Sequence, residues 1–199
     1  MRKTAVMTSD EKLNQTTKLT VAASLFWFAV KLVLGIVALS SFLIASALFT
    51  FALSLSKLFC LFGIAKDEKA ERKVYAVTTF VFVALAGLFY CIYNVRLLYG
   101  FKPTDFGLIP AIAIAAVSFY LFVKSIVNLV RYRKRNIYYK SLKLIAFIGA
   151  LTNILLTQTS LLMVEMPEMN QIYNVYGALG IGAFAFIASI VNVICIFRK

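Results

Sequence analysis

Histidine does not occur in this chain, and acid is scarce, with eight Asp and Glu against twenty-one Lys and Arg in 199 residues. None of the eight falls inside a long apolar run. Imidazole is therefore excluded as a general base or metal ligand, and no carboxylate pair stands ready within a hydrophobic segment. What remains for catalysis is a serine with Lys31 as its base, which is too little to expect an enzyme. The three cysteines, Cys60, Cys91 and Cys195, are odd in number and form no Cys-x-x-Cys pair. They read as buried free thiols rather than as a disulfide framework or a thiolate metal site. The three prolines all avoid the middle of an apolar run, so nothing suggests the interrupted helices with which many transporters bind ions.

What the chain does have is hydrocarbon. Sixty-two per cent of it is hydrophobic, against about 45–50% in a soluble domain, and the mean hydropathy is +0.88. Lipid is the expected solvent. A net charge of +13 raises the question of nucleic acid, but the basic residues sit in short stretches between apolar runs, the pattern of membrane orientation; no nucleic-acid partner is expected.

From Leu19 to Ile64 the only charges are Lys31 and Lys57. As one helix this run would extend roughly 70 Å, against a hydrocarbon core of about 30 Å, so it must fold back, and Ser40 and Ser41 mark the turn. Six spans follow from the same reasoning, at about 19–39, 42–64, 74–98, 106–130, 144–164 and 172–197, after a polar arm, 1–18, with no evident cleavage site that would remove the first span. Ala65 to Lys73 packs seven charges into nine residues and reads as a solvated loop, Tyr99 to Asp105 as a turn, and Glu165 to Asn170 as an acidic loop containing Pro167. The fold class is an all-α integral membrane protein.

An even number of spans puts both termini on one side. Leaving out Lys31 and Lys124, seventeen Lys and Arg fall on that side and only Arg96 and Lys102 on the other, which assigns the termini to the cytoplasm of a cell membrane. The strongest marker is Arg131 to Lys143, where Arg131, Arg133, Lys134, Arg135, Lys140 and Lys143 occur with no acid. Beyond orientation, such a cluster attracts anionic lipid headgroups at about 1 kcal/mol per residue before screening.

Within the spans, Ser46, Thr50 and Ser54 form an i, i+4, i+8 row, and Gly35, Ala178 and Gly182 add small residues where helices approach; packing is their default meaning. Lys31 stands out because its ammonium lies about 12 Å from the outer end and about 18 Å from the inner end of its helix, far from water. Asn153, Gln158, a tyrosine hydroxyl, backbone carbonyls or a bound anion are its candidate partners. Lys124, about 10 Å from the basic end, can snorkel. Lys31, Asn153 and Lys124 make up the candidate intramembrane polar site.

Lys31, Leu32, Gly35, Ser40, Ala45, Ala47 and Leu48 fall at the spacing of the first two spans of the cation diffusion facilitator family, six-span proton-coupled exporters of zinc, manganese and related metals. Lys69-Ala70-Glu71 is similar to the basic-x-acid motif opening that family's third span, Pro103 to a proline that often follows it, and the basic loop to Ser141 and Ala146 to its fifth-span approach. The resemblance implies a cation-efflux-like bundle, dimerisation, and a tetrahedral metal site with two ligands four residues apart on each of spans two and five. At those positions this chain has Phe49, Leu53, Ala150 and Ile154, all apolar. A slip of one residue brings in Asn153, a lone neutral amide. No metal or other cofactor is therefore expected, and the soluble metal-binding domain usual after span six has no counterpart here. The expectation is a divergent member of the family that has lost the metal chemistry, either a carrier of some other solute or a non-transporting partner subunit in a homo- or hetero-dimer. Its rivals are a substrate-capture subunit of a modular importer, and a structural membrane protein assembling through its small-residue faces.

Overall fold

A computed structural model describes residues 9–37, 39–65, 68–97, 108–131 and 137–198. Six α-helices account for nearly all of them: α1 Ser9–Val37, α2 Ser41–Ile64, α3 Lys69–Leu97, α4 Leu108–Arg131, α5 Ile137–Glu165 and α6 Pro167–Phe197. All six are long and apolar enough to cross a membrane. No strand occurs among the described residues.

The helices reach further than the apolar spans. α3 starts at Lys69, inside the charged stretch expected to be a loop, and α5 starts at Ile137, inside the basic one. Hydropathy marks where hydrocarbon ends, whereas a helix continues into water for as long as its residues tolerate it, and Lys, Glu and Arg are good helix formers. The acidic loop shrinks to Met166 alone, because Pro167 is the first residue of α6, where a missing N–H costs nothing and a fixed φ suits the helix. The turn with Pro103 and the residues Arg133, Lys134 and Arg135 lie outside the described residues.

The hairpin of α1 and α2 turns one residue earlier than expected. Leu39 takes φ of 50°, the Ser40 N–H donates to the Gly35 carbonyl at 2.9 Å, and the Ser40 hydroxyl then caps α2 by accepting from the Leu43 N–H at 3.3 Å. Gly35 permits the close start of the pair, since a Cβ there would stand 3.1 Å from the Ile44 nitrogen and 2.9 Å from its side chain.

Four helices form a ring: α2 packs on α3 and α5, and α6 packs on α3 and α5. Its centre holds Phe42, Phe49, Leu53, Tyr90, Ile148 and Ala178, and a second cluster of Cys60, Ala76, Phe80, Leu142 and Ile196 fills the end where α2 and α6 finish and α3 and α5 begin. The tightest seam is α3 on α6, where Gly87 and Gly182 meet backbone to backbone; a Cβ on either would lie 2.7 Å from the other's carbonyl oxygen. The remaining helices are outriders, α1 leaning on α2 and α4 on α5, while α1 and α4 make almost no contact with each other. Both show large apolar side chains outward, among them Phe26, Val37, Tyr120 and Val130, as lipid-facing surfaces do.

Candidate functional site

The bundle's most deeply placed charge is Lys31, 2% exposed, on the α1 face turned toward α2 and α5. Its ammonium donates to Asn153 Oδ1 at 2.9 Å and to Ser46 Oγ and Thr50 Oγ1 at 3.3 Å each. Those three bonds use all three donors of a protonated lysine. Trp27, one helical turn before Lys31, donates its indole N–H to the same Asn153 oxygen at 3.2 Å. Three helices are thus tied at one point by the Lys31 amino group, whose partners are neutral dipoles. Hydrogen bonds to a charged group are worth about 1.5–3 kcal/mol each, the scale needed to hold an ammonium away from water.

The row Ser46, Thr50 and Ser54 was expected to serve packing. Ser46 and Thr50 do face a neighbouring helix, but as acceptors for Lys31, and Thr50 and Ser54 donate back to carbonyls four residues earlier on α2 itself, at 2.7 and 2.9 Å. On α6, Ala178 is fully buried and Gly182 lies against α3.

A second buried lysine mirrors the first. Lys57 reaches from α2 back to α1, donating to Ser24 Oγ at 2.7 Å, and Ser24 donates onward to the Thr20 carbonyl at 2.8 Å. Ser24 precedes Lys31 by seven residues, so the two ammonium groups sit at levels about 10 Å apart along α1. Lys124 does not join the Lys31 cluster. It is exposed on α4, with its ammonium 5.4 Å from the centre of the Tyr120 ring.

Between α1, α2, α4 and α5 lies a cavity of about 770 Å³. Trp27, Thr50 and Asn153 line it on the side of the Lys31 cluster, and Lys57, Lys124 and Lys143 line it toward the basic end. Its walls between are largely apolar, including Leu53 and Leu121, and no acidic residue lines it among the described residues. No family model, curated protein or solved structure matches the chain.

The four positions to which the resemblance assigns metal ligands all carry apolar side chains. Phe49 turns toward α3 and stacks on Tyr90 with ring centres 4.6 Å apart, Leu53 and Ala150 line the cavity, and Ile154 is half-buried. Among the described residues no three His, Cys, Asp or Glu side chains come together. Of the basic cluster, Arg131 and Lys140 are exposed, Lys143 is half-buried in the cavity wall, and Arg133, Lys134 and Arg135 lie outside the described residues.

Sequence reasoning missed three participants. Trp27 shares the face of Lys31 by helical spacing, and that signal was available. Lys57 was counted as a charge at the basic end, yet it is only 6% exposed and bonded across the hairpin. Gly87 carried no local signal, because its partner Gly182 lies ninety-five positions away.

Proposed function

We propose that this chain is a multi-pass cell-membrane protein with both termini in the cytoplasm, a divergent relative of the cation exporters that handles no divalent metal. It acts as a carrier of a non-metal solute or as the non-transporting subunit of a homo- or hetero-dimer. The observation that carries this reading is the Lys31 ammonium bonded to Ser46 and Thr50 of α2 and Asn153 of α5. In the family it resembles, spans two and five hold a mobile cation. Here the Lys31 amino group stands between the same two helices, and the positions at which that family's ligands fall carry Phe49, Leu53, Ala150 and Ile154, none of which can hold a divalent ion.

The seventeen-to-two distribution of Lys and Arg supports the orientation, and the basic stretch around Arg131 and Lys140 suits anionic headgroups on the cytoplasmic face. A second reading, a membrane-embedded capture subunit, is favoured by the cavity, whose volume lies in the range of about 300–1,000 Å³ that holds small organic ligands.

Native mass spectrometry of the full chain taken from its own membrane into nanodiscs, with elemental analysis of the same sample, tests both. A second six-span chain bearing metal ligands in the complex supports the subunit role, and a retained organic molecule supports the carrier or capture role. Stoichiometric zinc or manganese on this chain alone would overturn the reading.

A further inference from the structure

Asn153 is only 8% exposed, and its neighbours fix which way its amide faces. Lys31 Nζ and the Trp27 indole N–H both donate to one atom of it, at 2.9 and 3.2 Å, so that atom is the oxygen and the other branch is the NH2. Nδ2 has no partner among the described residues. Unlike Tyr90 Oη and Asn94 Oδ1, which are sealed and unpartnered, it keeps contact with open space, and the open space at Asn153 is the cavity. Two oriented N–H donors are thus presented there.

The walls at this level are hydrocarbon. Phe122 of α4 meets Phe147 of α5 with ring centres 5.8 Å apart, which brings Val117, five residues from Phe122, to about the level of Asn153, six residues from Phe147 on the oppositely directed helix. Leu53, Leu121 and Ala150 complete the apolar lining. Lys143 stands ten residues from Asn153 on α5, about 15 Å along the helix, and takes no part. Because α1 and α4 hardly touch, the cavity is continuous with whatever surrounds the bundle between them, and Phe26 and Val117 at that opening remain 69% and 49% exposed.

The donor and its walls select a ligand. A saturated hydrocarbon would leave two buried N–H groups unmet. An anion would give up its hydration for one amide and apolar walls, since Lys31 already spends its donors on Ser46, Thr50 and Asn153. An alcohol would bring an O–H of its own to an amide oxygen that already accepts twice. A carbonyl oxygen accepts and donates nothing.

We propose that the cavity is a binding site for a neutral lipophilic carbonyl compound, its oxygen accepting from Asn153 Nδ2 and its hydrocarbon lying between α1 and α4. The proposal deepens the carrier and capture readings, on which the use of such a ligand rests, while binding itself is a property of the cavity.

The only tryptophan in the chain, Trp27, lines the cavity, which makes its fluorescence a local reporter. The test titrates the full-length protein, in a detergent with a neutral headgroup, with a long-chain methyl ketone brominated along its chain, and with the alkane and secondary alcohol of equal length and bromination. Bromine quenches indole fluorescence at contact range. Saturable quenching by the ketone, at concentrations where the other two quench weakly, is the expected result. A methyl ester of the same length, run beside the ketone, assigns the site to an acyl lipid if it binds more tightly and to a ketonic lipid if it does not.

Asn153→Asp keeps an oxygen for Lys31 and Trp27 and replaces the NH2 with an acceptor, so it should weaken the ketone about tenfold without stranding Lys31. The carbonyl stretch of the bound ketone, lowered by hydrogen bonding in the native protein, should rise in this variant. Val117→Phe, which fills the cavity without touching the amide, should also weaken the ketone, whereas Val123→Phe, on an exposed α4 position outside the cavity, should not. Equal quenching by ketone and alkane would leave Nδ2 to water and overturn the proposal, as would undiminished ketone binding in Asn153→Asp. Either failure strikes this ligand class alone, because the carrier and capture readings are tested separately by what the protein retains from its own membrane.

Discussion

Lys31 of α1 and Asn153 of α5, 122 positions apart, meet at 2.9 Å, and the same Asn153 oxygen takes the Trp27 indole N–H. The two residues differ in what their removal leaves behind. Lys31→Met removes the charge and keeps the stem's volume; Asn153 retains Trp27 as a donor, and Thr50 retains its bond to the Ser46 carbonyl. Asn153→Leu instead leaves a buried ammonium with two hydroxyl oxygens. Lys31→Met should therefore cost under about 1 kcal/mol, and Asn153→Leu about 3 kcal/mol. Combining them should recover most of the loss, since the stranded charge is gone. Unfolding in mixed micelles titrated with a denaturing detergent measures all three, and a double variant as unstable as Asn153→Leu would refute the account.

The α3–α6 seam predicts a contrast between glycines of one helix. At Gly182 a methyl group would collide with the Gly87 carbonyl oxygen, whereas at Gly180 it meets nothing within 4 Å. Gly182→Ala and Gly87→Ala should each cost about 1–3 kcal/mol through forced separation of the helices. Gly180→Ala should be neutral or slightly stabilising, since alanine is the better helix former. The same micelle titration distinguishes these outcomes.

The hairpin turn predicts a gain. Leu39 is 83% exposed and holds φ of 50°, a left-handed conformation that costs an ordinary residue about 1–2 kcal/mol. Glycine adopts it freely and loses no buried contact here, so Leu39→Gly should raise stability by up to about 1 kcal/mol, its greater freedom in the unfolded chain taking back the remainder. A fall in the unfolding midpoint would mean that the leucine side chain holds the turn through contacts with its surroundings.

Which parts of this structure were legible follows from what each depends on. The six helices come from the length of apolar runs and the charges between them, which are local quantities. Lys31 was conspicuous as an isolated charge and Asn153 was among its candidate partners, but Ser46 and Thr50 read as a packing row. Hydroxyl spacing is the same whether a row faces a backbone or an ammonium, and only the rotation of α1 against α2 decides between them. The cavity left no trace in the sequence. It exists because α1 and α4 each find a neighbour in the central ring and not in each other, and no periodicity within either helix records that.

The two buried lysines of the hairpin also predict how cost scales with depth. Lys57 donates to Ser24 at 2.7 Å, a shorter bond than Lys31 makes to either of its hydroxyls. By bond length alone, Ser24→Ala would be the more damaging loss. Yet Lys57 lies only seven residues from the end of α2, about 10 Å along the helix, while Lys31 is held at the level of Asn153 farther in. Desolvation rather than bond length should decide, so Ser24→Ala is expected to cost about 1 kcal/mol, well below Asn153→Leu. A double-mutant cycle of Ser24→Ala with Lys57→Met isolates the coupling, expected at about 1 kcal/mol. A coupling of about 3 kcal/mol would place Lys57 out of reach of water and remove the distinction between the two lysines.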